Sequence, residues 1–155
     1  MNIDIPGLGP IELRNMVTDY TGTLSASVRL IKGTSERIRQ ISGSMEIYVL
    51  TADTFGTAAS ELKGLPVKII KLKEGEEDIQ KEVFVKRLGP ETVIALGNGN
   101  NDRLMLRRAK IGIAIMEAEG CACSAIHNAD IVVRGIIDAL DMLLEPLKIK
   151  ATLRV

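Results

Sequence analysis

The chain has 155 residues, with 20 Lys and Arg against 20 Asp and Glu, and 46% of its residues are hydrophobic. This length predicts one soluble domain over 1–155, while the balanced charge and the scarcity of aromatic residues argue against a nucleic-acid-binding protein. The apolar runs are far shorter than the ~18 residues that cross a bilayer, and the N-terminus lacks an export pattern, so we expect a cytoplasmic protein with no membrane segment.

The first residues predict a β-hairpin. Segments 2–5 and 11–14 flank Gly7-Leu8-Gly9-Pro10, and glycine and proline in this arrangement are typical of a tight turn. Because these segments precede the main alternating pattern, we interpret them as an addition to a larger fold.

Short β-branched segments then alternate with helical patterns along the chain, which is typical of βαβ units and a mostly parallel sheet. The predicted strands are 12–18, 45–50, 67–72, 92–96, 111–115 and 131–133. The predicted helices between them are 34–42, 54–63, 76–88, 101–109 and 118–128. In the helix over 76–88, we expect Ile79, Val83, Phe84 and Leu88 to face the sheet. The predicted fold class is therefore α/β, a three-layer Rossmann-like core.

The C-terminal region predicts one more helix and an additional strand. Helical periodicity over 136–144 ends before Pro146, because the residue before a proline is pushed out of helical geometry. The tail 149–155 is expected to add an edge strand. No internal repeat and no linker long enough to hold a second module divides the chain.

Polar residues follow three of the predicted strands. The first strand leads into Asp19-Tyr20-Thr21-Gly22-Thr23-Leu24, the second into Thr51-Ala52-Asp53, and the fourth into Gly97-Asn98-Gly99-Asn100-Asn101-Asp102. Ligands of open parallel sheets bind beyond the carboxyl ends of the strands, so we expect these segments to share one site. Lys73 and Lys81 are the basic residues nearest the same rim.

Two nucleotide-binding patterns are not supported. The glycine-rich run from Gly97 carries Asp102 where a dinucleotide fingerprint requires glycine, and a carboxylate there would repel a pyrophosphate. No Walker A sequence occurs. Asp53 and Asn100 are interpreted as helix caps rather than as functional groups.

The two cysteines do not predict a covalent or metal site. Cys121 and Cys123 are one residue apart, too close for an ordinary disulfide and too few for a zinc site. We interpret both as small buried side chains.

The strand-end residues suit phosphoryl chemistry. Asp19, followed by a Thr- and Gly-rich turn, fits a carboxylate nucleophile with backbone amides gathered around a phosphoryl group. Carboxylates repel a phosphate dianion, so such a site needs a divalent cation, and Mg²⁺ prefers oxygen ligands such as those of Asp19, Asp102 and Asn98. Lys81 would add positive charge, and Thr51 would donate its hydroxyl to a phosphoryl oxygen.

Asp19-Tyr20-Thr21-Gly22-Thr23-Leu24 resembles the nucleophile motif of the haloacid dehalogenase-like (HAD) phosphohydrolase superfamily, and is most similar to that of P-type ATPases. The resemblance covers about 13–144. It implies a single HAD-like core without a cap domain, in which Asp19 is phosphorylated, Thr51 and Lys81 hold the phosphoryl group, and Asn98 and Asp102 hold Mg²⁺. Asp102 orienting Lys81 instead is an alternative.

Two positions depart from the family pattern. Most phosphatases of the superfamily carry an Asp where this chain has Thr21. That Asp protonates the leaving group and later takes a proton from the attacking water, which a threonine hydroxyl cannot do near neutral pH. The Thr21 carbonyl would still ligate Mg²⁺, so phosphoryl capture is expected while hydrolysis of the aspartyl-phosphate is slow. Asn98 replaces the usual Asp, and an uncharged amide oxygen should bind Mg²⁺ more weakly.

Two functions follow from these residues. The first is a slow Mg²⁺-dependent phosphatase that acts on a small phosphorylated substrate through an aspartyl-phosphate. The alternative is a regulatory module that binds phosphate or nucleotide without useful catalysis. A homo-oligomer is also expected, because a neighbouring copy would shield the open rim of a capless site.

Overall fold

The computed structural model describes residues 1–52 and 56–155. The strands are β1 (Asn2–Ile5), β2 (Gly9–Glu12), β3 (Asn15–Asp19), β4 (Ser25–Ala26), β5 (Arg29–Leu30), β6 (Glu46–Thr51), β7 (Lys68–Lys71), β8 (Val93–Gly97), β9 (Ile111–Ile115) and β10 (Ile131–Val133). The helices are α1 (Thr34–Ile41), α2 (Thr57–Glu61), α3 (Glu77–Leu88), α4 (Arg103–Arg108), α5 (Cys123–Ile126), α6 (Ile136–Leu144) and α7 (Leu147–Leu153). Two 3₁₀ turns are Pro90–Thr92 and Asn100–Asp102.

Six strands form one parallel sheet in the order β10-β9-β8-β3-β6-β7. The chain enters this sheet at β3, builds outward through β6 and β7, and then crosses back to β8 on the other side of β3. The strand order therefore reverses between β3 and β8, which is where open α/β sheets place their ligands.

Both faces of the sheet are covered, and residues alternate between two cores along each strand. In β3, Met16 packs into the core beneath α1 and α6, whereas Val17 packs into the core beneath α3 and α4. Ile47 and Tyr48 divide between the same two cores in β6. This arrangement confirms the predicted three-layer α/β fold.

The six predicted sheet strands are all present, with ends shifted by up to three residues. The N-terminal hairpin is confirmed as the antiparallel pair of β1 and β2, but β2 begins two residues before the predicted segment, so Gly9 and Pro10 pair with β1 and do not lie in the turn. The helix predicted over 54–63 begins at Thr57, and its predicted first residue, Thr54, lies outside the described residues together with the predicted cap Asp53. Asn100 does not cap a helix with its side chain, because its Oδ1 accepts a hydrogen bond from Ser124.

Two C-terminal predictions were wrong. The helix predicted over 118–128 is reduced to α5, because residues 117–120 form a turn closed by the hydrogen bond from the Gly120 amide to the Glu117 carbonyl. The tail is helix α7 and not an edge strand. Helix α7 packs against β1 and buries Ile149 completely.

The buried face of α3 also differs from the prediction. Lys81 and Val85 are its buried residues, and Ile79 is exposed. A lysine on the buried face removes the apolar periodicity on which sequence reasoning depends.

Cys121 is partly buried and Cys123 is exposed, so the interpretation of both as buried was wrong. Among the described residues, no helix combines the length and hydrophobicity that a membrane span requires.

Candidate active site

The predicted strand-end residues converge on one pocket of about 510 Å³. Asp19 ends β3, Thr51 ends β6, and Asn98 follows β8, so parallel pairing brings the three to the same edge of the sheet. All three line the pocket, as does Thr21. The site therefore lies at the reversal of strand order.

A buried ion triad lies beneath this pocket. Lys81 is fully buried, and its Nζ donates hydrogen bonds to Asp19 Oδ1 and to Asp102 Oδ1, each at 2.7 Å. Helix α3 thus supplies the cation, while β3 and the loop after β8 supply the carboxylates. Lys81 and Asp102 do not line the pocket, and of the triad only Asp19 does.

One lysine shared by two carboxylates leaves the triad with a net negative charge when all three groups are ionised. Burial and the neighbouring Asp102 carboxylate raise the pKa of Asp19 to about 7, against the opposing effects of Lys81 and the Tyr20 amide. Burial alone would lower the pKa of Lys81, but the two carboxylates outweigh it and raise that pKa above its ordinary value. Lys81 is therefore a permanent cation, and the pKa of Asp19 lies close to neutral pH.

Asp102 is held on both of its oxygens. Its Oδ1 accepts from Lys81, and its Oδ2 accepts from the backbone amides of Asn98 at 3.0 Å and Gly99 at 2.8 Å. The side chain is fully buried against Gly97, where an added Cβ would lie 2.5 Å from Asp102 Cγ. Asp102 therefore fixes both the lysine and the loop that carries Asn98, as in the alternative role predicted for it.

The turn after β3 winds around a single carbonyl. The Tyr20 oxygen accepts hydrogen bonds from the amides of Thr23, Leu24 and Ser25, and the Gly22 amide donates to the Ser25 carbonyl. These four amides are consumed within the turn. These four amides therefore do not supply donors to a phosphoryl group, and a backbone anion cradle at this loop stays a prediction for the amides that precede them.

A small hairpin that the sequence did not predict stands at the mouth of the pocket. Strands β4 and β5 pair antiparallel, and their turn places Ser27 at φ 49° and Val28 at φ 67°. Val28 lines the pocket, and its carbonyl accepts a hydrogen bond from the Tyr20 hydroxyl at 3.0 Å. Sequence reasoning missed the hairpin because Ser-Val is not a residue pair that favours positive φ.

The oxygen donors at the pocket fit a hard divalent cation. Asp19 and Asn98 both line it, and Asn98 Oδ1 is oriented by a hydrogen bond from the Thr23 hydroxyl at 3.2 Å. Within residues 1–52 and 56–155, no three His, Cys, Asp or Glu side chains cluster as a metal site. A metal here would thus depend on amide and carbonyl oxygens as well as on Asp19, and such mixed oxygen sets suit Mg²⁺.

Two acidic residues of the pocket wall were missed by sequence reasoning. Glu77 is in the first turn of α3 and accepts a hydrogen bond from Asn101 at 2.7 Å, and Glu119 is in the turn after β9. Neither follows a predicted strand directly, so the rule that located the other residues could not find them. Lys73, predicted near the rim, lines a neighbouring groove that shares Glu77 with the pocket.

No protein-family model matches the chain. The chain is 42% identical to an uncharacterized protein of Methanocaldococcus jannaschii over 92 residues, which are 57% of this chain and 99% of that protein. It is 36% identical over 64 residues to the phosphoserine phosphatase of Archaeoglobus fulgidus, a match that spans 41% of this chain but only 18% of the enzyme.

Solved structures with the same fold include phosphatases and hydrolases. The 3-deoxy-D-manno-octulosonate 8-phosphate phosphatase of Moraxella catarrhalis, crystallised with magnesium and phosphate, aligns with a TM-score of 0.70 at 15% identity over 86% of each chain. A HAD superfamily hydrolase of Legionella pneumophila aligns with a TM-score of 0.67 at 12% identity over 91% of this chain and 87% of its own. At these identities the similarity establishes the fold.

Proposed function

Since the chain belongs to the same family as the M. jannaschii protein and is a small capless protein with the HAD fold, we propose that it is a Mg²⁺-dependent phosphohydrolase. Asp19 is its nucleophile, and its substrate is a small phosphorylated molecule. The same proposal covers a single core over 1–155, related to the phosphorylation domain of P-type ATPases and located in the cytoplasm.

The buried triad beneath the pocket is the observation that carries the proposal. A lysine with no solvent exposure is expensive to bury, and a fold retains it only where charged partners offset the cost. The triad presents one carboxylate, Asp19, at the base of an open pocket and leaves the other groups buried. A carboxylate so held is oriented for attack, because Lys81 fixes its position.

Asp19, the Thr21 carbonyl and Asn98 are the groups that would hold Mg²⁺. The bound ion would supply positive charge that offsets repulsion between Asp19 and a phosphate dianion. Asp102 was predicted as a further ligand, but its engagement by Lys81 and two backbone amides supports the positioning role. Because Asn98 is uncharged, we expect weaker metal binding than a carboxylate would give.

The first half-reaction follows from this arrangement. An Asp19 oxygen forms a bond to phosphorus, the bond from phosphorus to the ester oxygen breaks, and the leaving group departs with that electron pair. The Thr51 hydroxyl, at the end of β6 and on the pocket wall, would donate to a phosphoryl oxygen. Lys81 donates a hydrogen bond to Asp19 on the side away from the pocket, and we assign it the role of neutralising and positioning that carboxylate.

The second half-reaction is expected to be slow. Water must attack the aspartyl-phosphate and lose a proton, and Thr21 offers no group that takes one near neutral pH. Thr21 and Asn98, which replace the usual Asp at both positions, also favour the alternative function, a phosphate- or nucleotide-binding regulatory module. The two functions differ in whether the phosphoenzyme forms and turns over.

The test compares the wild-type protein with Asp19→Asn in hydrolysis of 4-nitrophenyl phosphate with Mg²⁺, and measures the intact mass for covalent phosphate. We expect Mg²⁺-dependent turnover and a phosphorylated species in the wild type, and a loss of more than about 1,000-fold in Asp19→Asn. Asp4→Asn, an exposed residue of β1, is the matched control. Equal turnover in Asp19→Asn would exclude the mechanism, and phosphate binding without a phosphoenzyme would favour the regulatory module.

We also propose that the chain forms a homo-oligomer in which a neighbouring copy covers the pocket. The pocket is open, and the exposed Val28 stands at its mouth. Light scattering gives the mass in solution, and a monomer at all concentrations would contradict this part of the proposal.

A further inference from the structure

The pocket around Asp19 has acidic walls. Glu77 and Glu119 line it, and no Lys or Arg lines it among the residues that the structure describes. Positions 53–55 are Asp, Thr and Phe, so they bring no cationic side chain. Lys81 lies beneath the pocket, and its charge is already shared by two carboxylates.

Glu119 is carried by a turn that the protein anchors at both ends. The Gly120 amide donates to the Glu117 carbonyl at 2.8 Å, and Glu117 Oε1 accepts from the Ile136 amide at 2.6 Å at the start of α6. The Gly120 carbonyl also accepts a long hydrogen bond from Asn98 Nδ2 at 3.4 Å. These contacts hold the turn against the loop that carries Asn98.

The Glu119 carboxylate lies against the nucleophile loop. A Cβ added to Gly22 would be 2.9 Å from Glu119 Oε2 and 2.6 Å from Asn98 Nδ2. Gly22 is three residues after Asp19 and adjoins Thr21, which lines the pocket. The negative charge of Glu119 thus lies on the pocket wall beside the loop that follows Asp19.

Glu77 adds a second negative charge to the wall. Its Oε2 accepts a hydrogen bond from Asn101, which fixes the carboxylate at the pocket. Lys71 and Lys73 line a neighbouring groove that shares Ala52 and Glu77 with the pocket. Those lysines line that groove and not the pocket around Asp19.

We infer that Glu119, assisted by Glu77, selects phosphate monoesters whose leaving group carries an ammonium group close to the ester, and disfavours those with a carboxylate or a second phosphate there. This inference rests on the proposed function, because it concerns the leaving group of that reaction. A nearby carboxylate attracts a cationic substituent and repels an anionic one, and partial exclusion of water by a bound substrate strengthens both effects.

Three short esters of similar size test the inference: 2-aminoethyl phosphate, 2-hydroxyethyl phosphate and phosphoglycolate. At low ionic strength and saturating Mg²⁺, we expect kcat/KM to decrease in that order, with about a tenfold ratio between the first and the last. Glu119→Lys should invert the order, and Glu119→Gln should give an intermediate ratio. Mg²⁺ is titrated for each variant, so that altered metal binding is not mistaken for altered selectivity.

Glu36→Lys is the matched control, since Glu36 is an exposed glutamate on α1, and it should keep the wild-type ratio. A wild-type preference for phosphoglycolate, or an unchanged ratio in Glu119→Lys, would overturn the inference. Asp19→Asn separates this failure from that of the proposed function. If Asp19→Asn is inactive and the kcat/KM ratio is the same in the wild type and the Glu119 variants, only the selectivity is refuted. If Asp19→Asn hydrolyses the esters at the wild-type rate, the proposed function fails.

Discussion

Lys81 Nζ lies 2.7 Å from Asp19 Oδ1, and the lysine that makes this contact has no solvent exposure. The two residues are 62 positions apart in the sequence, and their contact joins α3 to the end of β3. A second contact of equal length ties the same ammonium group to Asp102. The base of the pocket is therefore a charged arrangement in which one lysine offsets the burial of two carboxylates.

Replacing Lys81 with methionine should destabilise the protein and abolish turnover. Methionine fills similar space but leaves two buried carboxylates without a cation, and removing one partner from a buried ion pair typically costs about 3–5 kcal/mol. Urea unfolding gives the change in the free energy of unfolding. Lys86→Met is the control on the same helix, because its ion pair with Glu82 is at the surface and should contribute less than about 1 kcal/mol. Equal effects of the two substitutions would contradict the burial argument.

Mg²⁺ affinity should rise with pH across neutrality. The pKa of Asp19 is raised to about 7 in the metal-free protein, and a protonated carboxyl must lose its proton before it can ligate a metal. For one group with this pKa, binding should be about tenfold weaker at pH 6 than at pH 8. Calorimetry in two buffers of different ionisation enthalpy measures the released proton. In Asp19→Asn the pH dependence between 6 and 8 should vanish.

The same shift predicts an unusual trend in stability. The folded-state pKa of Asp19 lies above the ordinary value of an aspartate, so the folded protein holds a proton that the unfolded chain releases. The contribution of this group to the free energy of unfolding is therefore largest in acid and is lost as pH rises from about 4 to 7. Urea unfolding of metal-free wild type and Asp19→Asn should differ in slope over this range, and identical slopes would show that Asp19 does not titrate there.

Gly97→Ala should displace Asp102 and lower both stability and activity, although Gly97 does not line the pocket. The added Cβ would lie 2.5 Å from Asp102 Cγ and 2.6 Å from Asp102 Cβ, and Asp102 cannot move without breaking its contacts to Lys81 and the loop amides. We expect about 2–3 kcal/mol of destabilisation and a large loss of activity. Gly43→Ala is the control, because its nearest atom is the Gln40 carbonyl oxygen at 3.4 Å, and it should change stability by less than about 0.5 kcal/mol. A stable, active Gly97→Ala protein would refute this packing argument.

Val28→Gly should stabilise the hairpin at the pocket mouth. Val28 is 59% exposed and sits at φ 67°, a conformation that a β-branched residue adopts only with strain. We expect a gain of about 0.5–1 kcal/mol, since relief of strain exceeds the added flexibility of glycine in the unfolded chain. Val132→Gly, at an exposed position in β10, should have the opposite sign because glycine weakens an ordinary strand. Thermal unfolding measures both.

The parts of the fold and of the site that the sequence predicts are those with a recognisable local pattern of residues. The parallel strands were predictable because they are buried on both faces and read as short apolar runs, and the rule that sites follow such strands located Asp19, Thr51 and Asn98. Lys81 was predicted to belong to the site, but its complete burial was not predicted. A lysine at a buried position of a helix interrupts the apolar pattern from which burial is predicted.

The remaining differences arise from contacts that no local pattern encodes. The tail became α7 because Ile149 is buried in the core and the helix packs against β1, more than 140 residues away in the sequence. Glu119 reached the pocket through a turn anchored on the Ile136 amide and the Asn98 side chain. Each of these positions depends on tertiary packing and not on the residues next to it.

Thr21→Asp should accelerate the step that limits turnover. Thr21 is exposed on the pocket wall, so a carboxylate fits there without repacking, and an acid/base group at such a position typically contributes about 10²–10⁴-fold. Because the substituted carboxylate also repels Asp19 and the phosphoryl group, we expect a smaller net gain of at least about tenfold in hydrolysis of the phosphoenzyme. The decay of the phosphorylated species after removal of substrate, followed by intact mass, gives that rate. Thr21→Asn is the control, since it has nearly the same shape but cannot carry the proton. If Thr21→Asp and Thr21→Asn decay at the same rate, proton transfer at this position does not limit the reaction, and the slow step must be sought in metal binding at Asn98 or in product release.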